Sequence, residues 1–134
     1  MSTSHAAAEA TNLRGKLALI NEPWSPRLLA ELNGQHVRIA KLDGEFTWHA
    51  HQDEDELFLV IEGEIDIQLR EGPNDAERSV RIAEGELFVV PRGVVHKPVA
   101  RRPAGVLLFE PASTRNTGDA DDERAIDPNK LERV

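Results

Sequence analysis

Short apolar runs with a period of two, cut by glycine and proline, constrain this chain more than any other feature. Between Arg27 and Glu110 the breaks fall at Gly34, Gly44, Gly63, Gly72-Pro73, Gly85 and Pro91-x-Gly93. Arg27–Leu32 and Gln35–Leu42 flank Asn33-Gly34, the dipeptide best suited to a tight hairpin because both residues tolerate positive φ. Phe46–His51 reads as the next strand, and Leu57–Ile61 as a buried one. Ile65, Ile67 and Leu69 then alternate with Asp66, Gln68 and Arg70. A polar loop over Glu71–Arg78 leads to short strands at Val80–Ile82, Glu86–Val90, Lys97–Ala100 and Val106–Glu110. Many short strands with frequent turns define an all-β sandwich or barrel, and no long helix is expected.

The remaining segments set the domain boundaries. Residues 1–15, rich in Ala, Ser and Thr, are expected to be a flexible start, with the barrel over 16–112. Two prolines within Glu22-Pro23-Trp24-Ser25-Pro26 exclude a regular helix there. Residues 113–134 are polar and charged and are expected to be a tail, draped on the surface or disordered.

Composition excludes several functions. The 134 residues hold no cysteine, so disulfides, thiolate zinc sites and a cysteine nucleophile are ruled out. With 24 acidic against 16 basic residues and a formal charge of -8, the chain makes a poor partner for nucleic acid or an anionic membrane. No apolar stretch is long enough to span a bilayer, and because Met1–Ala10 lack a basic start and an apolar run, no secretory signal is expected. The expectation is a cytoplasmic protein with a small-molecule ligand.

Histidine placement carries the chemistry. In His49-Ala50-His51 the two imidazoles stand at i and i+2, on one face of a strand and about 6.6 Å apart along it. Glu56 follows after four residues, across a turn. Glu54 and Asp55 are the alternatives if the turn is one or two residues shorter. His96 lies far along the chain, after Pro91-Arg92-Gly93. Barrel closure is the simple way to bring it beside the first pair. Three histidines and a carboxylate inside a small apolar barrel are costly to bury unless paired or bound to a metal. His5 and His36 have no partner at ligand spacing and are expected to be hydrogen-bonded or solvent-facing.

Two segments resemble the cupin superfamily. Gly44…His49-x-His51-x4-Glu56-x6-Gly63 is similar to its first motif, and Gly85-x5-Pro91-x-Gly93-x2-His96 to its second. The resemblance spans about residues 36 to 111 and is greatest to small single-domain bacterial cupins. It implies a double-stranded β-helix, or jelly roll, holding one divalent transition metal ion (Fe, Mn, Ni, Zn, Co or Cu) through His49, His51, Glu56 and His96. Departures are Ala100, where the pattern often has Asn, and four rather than five residues between Gly44 and His49. Cupins include dioxygenases, oxalate-degrading enzymes, sugar isomerases and epimerases, and also storage and sugar-binding proteins. The resemblance therefore implies a metal-dependent enzyme of dioxygenase or isomerase type acting on a small polar metabolite. The alternative is a non-catalytic module that binds a sugar or carboxylate.

Strand parity predicts the pocket. Thr47 shares parity with His49 and His51, and Phe58 and Val60 share it with Glu56, so all three are expected to face inward. Arg92, Lys97, Arg101 and Arg102 are candidates for a basic rim. Phe46 and Trp48 have the opposite parity and are expected outside the barrel. Cover for them would come from the Trp24 segment or a second subunit, hence an expected homodimer.

Overall fold

The computed structural model describes residues 9–134, so His5 and the first half of the expected flexible start lie outside it. Seven strands follow one short helix: α1 Leu13–Leu17, β1 Arg27–Leu32, β2 Gln35–Glu45, β3 Glu56–Glu62, β4 Glu64–Glu71, β5 Ala76–Ala83, β6 Leu87–Val90 and β7 Val95–Pro111. All pairings are antiparallel, in the path β1-β2-β7-β3-β6, with β4 joining β7 to β5. β7 organises the barrel. Its first part pairs with β4, and its second lies between β2 and β3. The result is the jelly roll that the motif pattern implies.

Local chemistry explains the turns. Asn33 and Gly34 both adopt positive φ, 49° and 76°, and join β1 to β2 as their types demand. Gly63 sits at φ 82°, and a Cβ there would stand 3.2 Å from the Pro103 carbonyl oxygen. A larger residue would be both strained and crowded.

Inward alternation builds the interior core from residues such as Ala40, Leu42, Phe58, Ile65, Ile67, Leu69 and Val106. A second cluster lies outside the sheet, where Leu17 and Ile20 of the α1 segment cover Ile39 and Ile61. Leu17 is fully buried, worth about 1.5–3 kcal/mol of transfer free energy. α1 is capped by Asn12, whose side chain accepts from the Gly15 N–H at 2.7 Å.

Three expectations are corrected. The loop taken as Glu71–Arg78 shrinks to four residues, because β4 runs to Glu71 and β5 starts at Ala76. Lys97–Ala100 and Val106–Glu110 are parts of one strand, β7. Phe46–His51 is not a strand: its backbone meets the sheet at the His49–His96 bridge and through the Phe46 N–H to Pro98 carbonyl bond. Because residues 46–48 are not extended in a ladder, alternation does not run from His49 back to Phe46, and the parity argument for Phe46 fails. Its ring packs against the interior core and stacks on Trp24, with centroids 4.7 Å apart and planes at 17°. Trp48 is half-buried in its own chain, with the Arg70 guanidinium 3.8 Å from its ring centroid and the Lys97 ammonium 5.4 Å away. Neither aromatic requires a second subunit to cover it.

The polar segment after Pro111 is packed rather than loose. Thr114 and Thr117 are fully buried, and a parallel bridge joins Leu28 to Arg133. No helix among the described residues is long and apolar enough to cross a membrane.

Candidate metal centre

His49 and His96 face each other across a two-residue bridge, each donating its backbone N–H to the other's carbonyl, at 3.0 and 2.8 Å. Their rings are therefore adjacent, with centroids 4.3 Å apart. His51 joins them at 5.0 Å from His49 and 5.6 Å from His96. Glu56, the first residue of β3, supplies the carboxylate. One ligand atom from each of these four buried residues lies within 4.8 Å of the others. The alternatives point elsewhere: Glu54 accepts from Ser113 Oγ, and Asp55 pairs with Arg92.

The backbone settles two tautomers. His49 Nδ1 lies 2.9 Å from the Thr47 carbonyl oxygen and His96 Nδ1 3.0 Å from that of Val94. A carbonyl can only accept, so each Nδ1 carries the proton and each Nε2 is left with a lone pair. A carbonyl fixing the outer nitrogen is the usual support for a metal-binding imidazole. Thr47 contributes through its backbone, and its side chain is not among those lining the adjacent cavity.

The donor set fits a metal ion on structural grounds. Glu56 Oε1 lies 3.2 Å from His51 Nε2 and 3.3 Å from His96 Nε2. Yet His51 Nε2, fully buried, makes no aligned hydrogen bond. A buried polar atom without a partner costs about 1–3 kcal/mol, and an ion among the four ligands would satisfy it. Imidazole and carboxylate donors suit a divalent transition metal.

Electrostatics prepares the ligands for that role. Burial, reinforced by His96, pulls His49 down to about 4, so it is neutral at pH 7. Burial would also lower His51, but the Glu56 carboxylate, 3.2 Å from its Nε2, outweighs it and holds this imidazole above its ordinary value. Burial would raise Glu56, yet the two histidines hold its carboxyl well below the usual range and keep it ionised.

A further carboxyl was not legible as part of the site. Glu110, on β7, lies beside Glu56 and is fully buried. Burial first, and the Glu56 charge second, hold its carboxyl well above the usual range despite Arg38. Arg38 is itself fully buried. It donates to Glu110 Oε2 at 2.8 Å, to the Thr114 carbonyl at 2.8 Å, to the Ala112 carbonyl at 3.2 Å and to His36 Nδ1 at 3.1 Å. His36 is thus buried and hydrogen-bonded, with Glu31 at its other nitrogen. The signal was present in the sequence: Arg38 continues the inward alternation of Ala40 and Leu42, and Glu110 that of Val106 and Leu108.

A cavity of about 40 Å³ adjoins the ligands. Its walls are largely apolar, with Trp24, Phe46, Phe58 and Leu108 prominent, and His49, Glu56, Glu110 and Asn116 supply its polar groups. Phe58 lines the cavity, and Val60 is buried in the interior core without lining it. Arg92, Lys97, Arg101 and Arg102 do not line it. Lys97 pairs with Glu45, and Arg101 with Asp66.

Comparison with known proteins agrees with this arrangement. The family described as "Cupin domain" matches residues 35–110. An uncharacterized Bacillus subtilis protein, YdbB, is 37% identical over 90 residues, covering 65% of this chain and 75% of its own. The crystal structure of a cupin-2 domain containing protein from Shewanella frigidimarina superposes with a TM-score of 0.69 at 39% identity, covering 75% of this chain and 93% of its own. The 3-hydroxyanthranilate 3,4-dioxygenase 2 of Aspergillus fumigatus is 33% identical over 91 residues, 64% of this chain, and the match spans 46% of the dioxygenase.

Proposed function

The chain belongs to the cupin family, and from that premise we propose that it is a metal-dependent enzyme of the dioxygenase type acting on a small metabolite. The carrying observation is the buried set His49, His51, Glu56 and His96, whose ligand atoms converge within 4.8 Å and include the orphaned His51 Nε2. His49, His51, Glu56 and His96 would hold iron or a similar ion, which would supply activation of substrate and dioxygen. Similarity to a fungal dioxygenase supports the oxygenase over the isomerase. So do the walls, since an apolar chamber suits a compact ring better than a polyol.

The chain's own groups have defined tasks in this reading. The Thr47 and Val94 carbonyls hold the His49 and His96 rings with Nε2 inward. Phe46, Phe58 and Leu108 exclude water from the face a ligand would occupy. Glu110, its carboxyl held above the usual range by burial and by Glu56, places a second carboxyl within the chamber. The test is anaerobic loading with Fe(II), Mn(II), Ni(II) or Zn(II), followed by a screen of small phenols and hydroxy acids with an oxygen electrode. Oxygen uptake confined to the Fe(II) form supports the proposal, and turnover without oxygen turns it toward isomerase or lyase chemistry. The second reading is a non-catalytic module that binds a sugar or carboxylate. Ligand-induced thermal shifts without turnover for any metal would select it.

A further inference from the structure

The cavity beside the ligands, about 40 Å³, has room for two or three waters. It falls well short of the roughly 150 Å³ that admits a benzene ring. A ring-sized ligand is therefore not enclosed there unless part of the wall moves. The wall's aromatic edge is the Trp24–Phe46 stack, and the chain's C-terminal segment lies against it. Asn116 lines the cavity directly. The Arg124 guanidinium lies over the Phe46 ring at 4.4 Å from its centroid, and 6.0 Å from that of Trp24.

We propose that the segment from Ala112 to Ile126 is a strap that gates this cavity, with Arg124 as its latch on the Trp24–Phe46 stack, and that it sets the size of ligand admitted. The attachments have the distribution a gate needs. One end is held from inside the barrel, where Arg38 bonds the Ala112 and Thr114 carbonyls. Beyond the other end the chain is tied to β1, with Leu28 N–H on the Glu132 carbonyl at 2.8 Å. Between these anchors no strand ladder holds the strap. Asp119 exchanges bonds with the Ala50 backbone, Arg124 donates to the Glu45 carbonyl at 3.3 Å, and Asp122 steadies its guanidinium at 2.9 Å. Asn116 gathers the strap onto itself through the Arg124 carbonyl and the Ile126 N–H. Thr114 and Thr117 are buried in the first half of the segment, whereas the part from Asp119 to Ile126 is held by side-chain and backbone bonds without a ladder, so that part opens without unfolding the barrel. Trp24 has a left-handed backbone, φ 60°, which is rare for a bulky residue. It is held there by bonds to the Lys41 and Asp43 carbonyls, so the surface the latch rests on is rigid.

The strap acts at the mouth and needs no ion to do so, so the test uses the metal-free full-length chain. Diethyl pyrocarbonate, larger than the cavity, modifies neutral imidazoles; His49 lines the cavity, while His36 is buried elsewhere and serves as reference. Peptide mapping by mass spectrometry at pH 7 should show His49 modified about three- to tenfold faster in Arg124→Ala than in wild type. His36 should be unchanged, and Arg124→Lys should fall between. Hydrogen exchange gives a second measurement on the wild-type chain: the Ile126 amide should exchange faster than the Ile67 amide of β4. Equal His49 rates in wild type and Arg124→Ala, equal acceleration at His36, or Ile126 exchange at the core rate would each overturn the strap. None of these results would touch the metal-centre reading.

Discussion

Replacing Glu56 by Gln separates the charge of the carboxylate from its shape. In the wild-type chain Glu56 Oε1 stands 3.2 and 3.3 Å from two imidazole nitrogens, so one ion would engage all three atoms. At free Zn(II) a thousandfold above Kd, binding stabilises the fold by about 4 kcal/mol. An unfolding entropy of about 2.1 cal/mol/K per residue, taken over 134 residues, makes each kcal/mol worth roughly 3.5 °C. Wild type should therefore melt about 14 °C higher with zinc than without. A neutral amide that weakens binding on the order of a thousandfold leaves a gain under about 0.5 kcal/mol, or less than about 2 °C. Scanning fluorimetry with and without zinc, checked by elemental analysis, measures both numbers. An equal zinc shift in the two proteins would refute Glu56 as a ligand, and no shift with no bound metal in wild type would refute the centre itself.

The same experiment has a pH arm. Burial acts to lower His51, but Glu56 outweighs it, so the proton of the metal-free site rests on an imidazole whose pKa lies above 6.5. Zinc must displace that proton. Its affinity should rise by up to about tenfold per pH unit below that elevated pKa and level off above it. In the metal-free fold the sign is opposite for this group: its contribution is full below 6.5 and lost as pH rises through the folded value.

Three further outcomes are expected. Arg38→Met leaves the Ala112 and Thr114 carbonyls, Glu110 Oε2 and His36 Nδ1 without their donor and should cost about 3–5 kcal/mol in urea unfolding; a loss below 1 kcal/mol would show that these groups find other partners. His49, neutral in the fold down to about pH 4, makes the metal-free protein lose roughly 3 kcal/mol between pH 6.5 and 4, because the unfolded chain takes the proton first. His49→Gln should remove that part of the slope in urea titrations, and parallel slopes would contradict the assignment. Gly118→Ala places a Cβ 2.4 Å from the Ala50 carbonyl oxygen at φ 55° and should destabilise by about 2 kcal/mol or more; unchanged stability would mean that the strap yields there freely.

The all-β class, the Asn33-Gly34 hairpin and the placing of His49, His51 and Glu56 near one another were legible in the sequence because each rests on local chemistry; His96 reaches them only through barrel closure. Alternation sets a face, Asn-Gly sets a turn, and His-x-His with a following Glu sets a ligand pair and its complement. What the sequence could not express was decided by contacts between distant parts of the chain. β2 ends at Glu45 and residues 46–48 join no ladder, so Phe46 turns inward where parity counted back from His49 does not apply. Arg38 and Glu110, 72 residues apart, read singly as ordinary surface charges. Only β2–β7 pairing puts them in one dry interior, where each is tolerable because of the other. The polar composition after Pro111 described a segment without a core of its own, yet Arg38 holds its carbonyls and Arg124 stacks on Phe46, interactions that composition does not encode.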